Sequence, residues 1–413
     1  MSELDRVVIV GASAGGLSAA EALRRGGHQG PITLIGDEPH APYDRPPLSK
    51  QILQGAWETE RAALRSAEGL AKLQAEFVLN DRAVALDLPT RSVRTASGRV
   101  FEADAVVIAT GVQARRLPGQ DGLAGVHVLR SLDDTLALRA DLLTASRVVV
   151  VGEGVLGSEI AATARQLGLD VTLVGPLAAP MFAQIGPLAS GLLARVHQEQ
   201  GVRLRLGTGV AGLAQHDGRA TGVRLSGGEE IPADVVVVAI GSVPATGWLE
   251  GSGLRLDNGV VCDAQCRAAD GIYAVGDVAR WHHAGWGRLA RLENRTNATE
   301  QAEAVAAAIL GGGAPYSPIP YFWSDQFDAK LQVFGVIPAD AEAEIVEGDL
   351  DSRRFVARYT REGRLIGLLG WNMAKQVRMR RRELVAAAAE ATASAAVPAT
   401  PAATPTAAER AQA

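Results

Sequence analysis

Cysteine is nearly absent from this chain: 413 residues carry two, Cys262 and Cys266. Their spacing is not the C-x-x-C of a thioredoxin-like site, and a reducing compartment disfavours a structural disulfide between them. Electron relay through a paired thiol is therefore excluded near the chain's start, where no cysteine occurs. Aromatic residues are also few, at 4%. No run approaches the roughly 20 apolar residues that span a bilayer. The opening Met-Ser-Glu-Leu-Asp-Arg leads straight into a strand and leaves no room for a signal peptide, so a cytoplasmic protein is expected. Excess positive charge is lacking too. A formal net charge of −5 gives no general electrostatic case for nucleic acid or membrane surfaces.

What is present is glycine, 46 residues of it, within a chain that is 47% hydrophobic. That mixture suits an α/β protein with many tight strand-to-helix turns. The length allows two or three cores. Residues 6–10 (RVVIV) read as a buried parallel strand, followed by Gly11-Ala-Ser-Ala-Gly-Gly16 and a helical stretch to Arg25. Residues 32–35 (ITLI) give the next strand, 59–74 a helical region, 76–100 strand-like pieces, and 106–111 (VVIATG) another buried strand. A second unit opens at 147–168 around Gly152-Glu-Gly-Val-Leu-Gly157, continues at 171–174 and closes at 235–241 (VVVVAIG). The run 272–279 (IYAVGDVA) is a third landmark, 299–310 an alanine-rich helix, and 331–371 a set of alternating strands. From 385 onward Ala, Pro, Thr, Ser and Glu dominate, predicting a disordered tail with at most a marginal helix at 384–393.

The fold expected is α/β: two doubly wound dinucleotide-binding domains, the second inserted in the first, plus a small C-terminal α+β domain. The boundaries read as 1–112 with 246–318 for the first domain, 113–245 for the second, 319–384 for the third, and 385–413 for the tail.

Both glycine loops follow the G-x-G-x-x-G logic, in which the first glycine makes the turn and the third lets helix and strand pack closely. Backbone N–H groups at the helix start then hold a pyrophosphate. In the first loop Ser13 stands at the middle position; the second loop is a full match. Asp37, just past the second strand, is placed to accept hydrogen bonds from ribose hydroxyls. The second loop has no such acid: Val-Thr-Leu-Val174 is followed by Gly175-Pro176. No arginine occupies 176–184 to receive a 2′-phosphate either, so a modest lean to NADH is expected. Two loops mean two nucleotides, and electron transfer between them is the economical reason.

With Ala41-Pro-Tyr-Asp-Arg-Pro-Pro-Leu-Ser-Lys50, the G-x-G-x-x-G-x-E run ending at Glu159, Ala274-Val-Gly-Asp277 and Tyr321-Phe-Trp-Ser-Asp-Gln326, the chain resembles the FAD-dependent ferredoxin reductases of bacterial oxygenase systems. They belong to the pyridine nucleotide-disulfide oxidoreductase superfamily. The resemblance runs from about residue 6 to about 380. It implies that Gly11, Ser13, Ala14, Gly16, Asp37, Arg45, Lys50, Val84 (by backbone), Thr110, Gly111, Arg130, Asp277, Arg295 and Trp323 hold FAD. Gly152, Gly154 and Gly157 would match the nicotinamide-nucleotide loop for NADH or NADPH, and Glu159 and Gly241 are further cofactor-binding candidates. It further implies that Lys50 and Glu159 form the ion pair beside the flavin ring, that Asp277 meets the ribityl chain, and that Trp323 shields the ring.

Arg295 departs from the aromatic or apolar residue that the resemblance leads one to expect, and it is expected to point to solvent. The implied activity is hydride transfer from NAD(P)H to FAD, then single electrons to an acidic 2Fe-2S ferredoxin. Other readings are a nicotinamide oxidase, or a flavin-dependent signalling protein like apoptosis-inducing factor. No metal site is expected, and the chain should be a monomer or weak dimer. The run Lys375-Gln-Val-Arg378-Met-Arg380-Arg381-Arg382 is the candidate ferredoxin-steering patch, with Arg291 and Arg295 as extensions.

Overall fold

The computed structural model describes residues 5–396. A short β-branched run cannot bury both faces alone, and here such runs assemble into two parallel sheets. The first has six strands, ordered Arg267–Ala269, Ile272–Ala274, Ala105–Ile108, Val7–Val10, Ile32–Ile35 and Glu76–Val78. All its pairings are parallel except the edge pair Arg267–Ala269 with Ile272–Ala274. The second sheet has five strands, ordered Arg203–Leu206, Asp170–Gly175, Arg147–Val151, Val235–Val238 and Val126–His127, all parallel.

The chain leaves the first sheet after Ile108 and completes the second sheet before returning. Exit and return are tied together where Val112–Ala114 pairs antiparallel with Ser242–Pro244. The second doubly wound unit is therefore an insertion in the first. Helices Ala14–Arg25 and Val155–Gln166 follow the leading strand of each sheet directly.

The third region is a five-stranded antiparallel sheet, ordered Tyr321–Gln326, Ala329–Gly335, Arg364–Trp371, Arg354–Arg361 and Glu342–Asp349. Its buried face carries Phe355, Tyr359 and Trp371 against Ile185, Leu192 and Val196 of helix Phe182–Glu199. That contact locks the third region onto the inserted one.

Three elements differ from the sequence reading. The region 59–74 holds only a 3₁₀ turn, Thr59–Ala62, and a short helix, Ala67–Ala71. Helix Phe182–Glu199 was not anticipated, because Gly186 (φ 70°) and Pro187 interrupt its pattern. The expected tail start at 385 falls inside helix Ala374–Ala396, which is anchored on the sheet by buried Val377 and Leu384. The remainder of that expected tail, 397–413, lies outside the described residues. Among the described residues no helix is long and apolar enough to cross a membrane.

Candidate active site

The segment Tyr43–Lys50 begins the site. Prolines 46 and 47 stop regular helix, and Leu48–Ile52 closes as a wide π-type turn, a form enriched at functional positions. The turn faces helix Val155–Gln166: the Thr163 hydroxyl donates to the Ser49 carbonyl at 2.8 Å. One turn earlier on that helix, Glu159 meets Lys50. Lys50 Nζ lies 2.7 Å from Glu159 Oε2, with side chains only 11% and 6% exposed. The same Oε2 accepts the Ser49 hydroxyl at 2.6 Å, and Oε1 accepts the Ser324 hydroxyl at 2.8 Å.

A buried ion pair is stable only when its remaining lone pairs find donors, and these two serines supply them. Behind them, the Gln326 amide donates to Ser324 Oγ at 2.9 Å and its carbonyl meets His197 Nε2 at 2.7 Å. Burial pushes the His197 imidazole down to about 4, against a smaller upward pull from Gln326. The ring is therefore neutral at physiological pH and donates to the Gln326 carbonyl. Lys50, Glu159 and Ser324 thus come from three regions of the molecule and converge on one point.

The phosphate loops are built alike. Gly11 and Gly152 have φ of 119° and 112°, and a Cβ on either would lie 2.2 Å or 2.1 Å from the carbonyl oxygen of Ala109 or Ala239. Only glycine fits there. Gly16 and Gly157 approach the same first glycines so closely that a Cβ would sit 1.9 Å or 1.8 Å from their oxygens. Around Gly154 a Cβ would meet nothing within 4 Å, leaving room for phosphate over the helix start.

Asp37 is exposed at its strand end. The segment leading to Val84 runs beside it: Asn80 N–H donates to the Glu38 carbonyl and Asp81 N–H to the Gly36 carbonyl, both at 3.0 Å. Val84 itself is exposed in strand Ala83–Asp87. Thr110 is tied to the returning chain by its hydroxyl, 3.0 Å from the Ala245 carbonyl. Gly111 (φ 67°) and Gly241 (φ 92°) turn the exit and return strands.

Asp277 tests whether a hydroxylated flavin chain fits. Burial raises its carboxyl above the usual range, opposed by Arg130, whose nearest nitrogen is 3.7 Å away. Its side chain, 19% exposed, accepts no hydrogen bond from the described residues, so hydroxyl donors entering the cleft would find its acceptors free. Arg45 donates to Glu38 at 2.6 Å and to the Arg130 carbonyl, so two guanidiniums flank the same cleft. Burial lowers the Arg130 guanidinium below its usual value, and neighbouring Arg45 adds to that. An anion between them would be welcome. Trp323 is half-buried and stacked on Tyr321 with ring centres 6.0 Å apart.

Arg295 does not point to solvent as expected. Its Nε pairs with the Asp44 carboxylate and its Nη1 donates to the Thr299 hydroxyl at 2.6 Å. Arg291 likewise pairs with Glu293 at 2.6 Å. Neither extends a free basic patch. Both cysteines are buried; burial raises the Cys262 thiol and pushes the Cys266 thiol up to about 12, so neither supplies a thiolate.

Sequence reading missed Ser49, Ser324, Gln326 and His197 as supports of the ion pair. The two serines lay inside the quoted motifs; nothing in the local pattern marked His197.

Residues 5–302 match the family model described as pyridine nucleotide-disulphide oxidoreductase, and 321–403 match the reductase C-terminal model. Rhodocoxin reductase of Rhodococcus erythropolis is 40% identical over 351 residues, 84% of this chain and 82% of that one. The ferredoxin reductase for the CYP199A2 system from Rhodopseudomonas palustris superposes with a TM-score of 0.88 at 36% identity, covering 91% of this chain and 93% of that one. The covalent putidaredoxin reductase–putidaredoxin complex gives a TM-score of 0.86 at 33% identity, with 92% of each chain covered. The chain belongs to the pyridine nucleotide-disulphide oxidoreductase family, in its ferredoxin-reductase branch.

Proposed function

We propose that this protein oxidises NADH or NADPH and hands the electrons one at a time to an acidic 2Fe-2S ferredoxin serving a monooxygenase or dioxygenase in the cytoplasm. The observation that carries this reading is the Lys50–Glu159 pair, 2.7 Å apart and nearly dry, where the two nucleotide-binding regions meet. Bound FAD supplies the ring that accepts a hydride and releases single electrons.

The chain's own residues hold, orient and shield. The first loop, Gly11 to Gly16, cradles the FAD pyrophosphate, with Arg45 and Arg130 alongside. Asp37 takes the ribose and Asp277 the ribityl chain, while Val84, Thr110 and Gly111 line the cleft. The second loop, Gly152, Gly154 and Gly157, receives the nicotinamide nucleotide, with Gly241 at the returning turn. Lys50 keeps a positive charge where the reduced ring gains negative charge, a placement that stabilises it. Glu159 holds that ammonium in place, and Ser49 and Ser324 hold Glu159. Trp323 would cover the ring, and Arg295, its charge balanced by Asp44, would lie alongside.

A nicotinamide oxidase working through a cysteine near the first loop is disfavoured, since both thiols lie elsewhere and stay protonated. The purified protein should be yellow, bleach anaerobically with NADH, and then reduce a 2Fe-2S ferredoxin. A colourless protein that takes up no added FAD would refute the proposal.

A further inference from the structure

The two loops put a carboxylate near the ribose by different routes. Their registers correspond: Gly11 N–H donates to the Ile35 carbonyl and Gly152 N–H to the Val174 carbonyl, each at 2.7 Å. Gly36 therefore matches Gly175, Asp37 matches Pro176, and Ala12 matches Glu153. In the first loop, a Cβ on Gly36 would lie 3.0 Å from the Ala12 Cβ. In the second, a Cβ on Gly175 would lie 1.6 Å from Glu153 Oε2 and 2.3 Å from its carboxyl carbon. The Glu153 carboxylate thus fills the volume in which a side chain at the strand end would begin.

Glu153 is 5% exposed. Its Oε1 accepts the Leu177 N–H at 3.0 Å, whereas Oε2 has no hydrogen-bond partner among the described residues. That oxygen is not sealed from solvent and is free to accept, and a ribose hydroxyl is a donor. The same negative charge opposes a 2′-phosphate, and residues 176–184 hold no arginine or lysine to offset it.

We propose that Glu153 is the specificity-determining residue of the second site. It accepts the adenosine-ribose hydroxyls of NADH and disfavours the 2′-phosphate of NADPH. It does from within the phosphate loop what an acid at position 176 would do from the strand end. The proposal rests on assigning the Gly152–Gly157 loop to the nicotinamide nucleotide. Restoring an acid at the strand end then requires clearing position 153 first, because a side chain at 175 would begin inside the Glu153 carboxylate.

The test is calorimetric binding of NAD⁺ and NADP⁺ to the oxidised, flavin-loaded protein, with no turnover involved. Glu153→Gln keeps the shape and the acceptor for Leu177 but removes the charge. It should weaken NAD⁺ and tighten NADP⁺, moving the ratio of the two dissociation constants by about tenfold or more. Glu153→Ala combined with Gly175→Asp, which needs the space that Glu153 vacates, should move the ratio back toward NAD⁺, which a mere prop for the Leu177 turn would not do. An unchanged ratio in Glu153→Gln, or equal weakening of both nucleotides in it, would overturn the role given to Glu153. If the wild type bound neither nucleotide while staying yellow, the loop assignment itself would fall.

Discussion

The two dinucleotide loops share their turn geometry: Gly11 and Gly152 have φ of 119° and 112°, and Gly16 and Gly157 each crowd the oxygen of that first glycine. On the proposed function the first keeps its FAD, and the second exchanges a nicotinamide nucleotide each turnover. Their side chains differ accordingly. Ser13 occupies the N-cap position of the first helix without a side-chain capping bond, where the second helix has Gly154 and open space, and Asp37 stands where the second loop has Pro176. On the proposal above, the carboxylate that Asp37 offers at the first strand end is supplied in the second loop by Glu153. An aligned position can therefore look empty while the chemistry is supplied by a neighbour in space.

The largest effect that would break this comparison comes from one lesion made in both loops. Ser13→Asp and Gly154→Asp each place a carboxylate at a phosphate-binding helix start, where it repels the ligand's own charge. Ser13→Asp should give protein with almost no flavin. Gly154→Asp should stay yellow, since nothing crowds that position, but lose reduction by NADH by about a hundredfold or more, while dithionite still bleaches it. Absorbance of the purified proteins and anaerobic titration decide it. Equal flavin loss in both variants would mean that the two loops do not hold different nucleotides.

The next test sharpens the comparison where the two halves meet. Lys50 follows the first loop and Glu159 follows the second, so their pair is the electrostatic seam between them. Glu159→Ala leaves a nearly dry ammonium without its partner and should cost about 3 kcal/mol or more in stability. Lys50→Met should slow flavin reduction by about tenfold or more. Because each change removes the same interaction, the double variant should lose much less than the sum. Thermal melts and stopped-flow reduction of all four proteins form the cycle. Additive losses would show that the pair contributes no coupling.

Much of this architecture was legible because buried parallel strands are near-continuous apolar runs. VVIV at 7–10 and VVVV at 235–238 announce themselves, and glycines punctuate them. Lys50 and Glu159 came from resemblance, and the structure brings them within hydrogen-bonding distance. Ser324 and His197 were illegible for a physical reason. A hydroxyl or imidazole acquires its role from a partner far along the chain, as with Ser324 and Glu159, and no local period encodes that pairing. Glu153 was hidden because the variable positions of G-x-G-x-x-G follow no rule; its signal was Gly175, a residue too small for its place. Helix Phe182–Glu199 was masked by its own Gly-Pro break, and the C-terminal helix outran the compositional change at 385 because its anchors, Val377 and Leu384, precede it.

The smallest effect concerns the partner, where recognition is expected to be long-range and salt-sensitive rather than buried and geometric like the nucleotide loops. Helix Ala374–Ala396 divides its basic run by face. Arg380 is already engaged, 3.0 Å from Glu383 and 3.4 Å from Glu347, and contributes little free charge. Arg378 and Arg381 are exposed. Arg378 opposes the upward pull of burial on the Tyr321 phenol, and Arg381 opposes the same pull on the Glu300 carboxyl. Those two cations therefore sit beside the strand that carries Trp323 and the helix that carries Arg295. An acidic ferredoxin approaching the flavin edge would meet them first, and attraction of this kind raises encounter rates while fading over roughly 8–10 Å of screened solution. Arg378→Glu with Arg381→Glu should lower the ferredoxin on-rate by about tenfold at low ionic strength and by much less at high salt. Arg380→Glu alone should do less than that pair, and flavin reduction by NADH should be unaffected in both variants. Stopped-flow ferredoxin reduction across a salt series, with a small neutral dye as the control acceptor, separates the cases. If the dye and the ferredoxin responded alike, the helix would be no more than a solvated face and the steering surface would have to lie elsewhere.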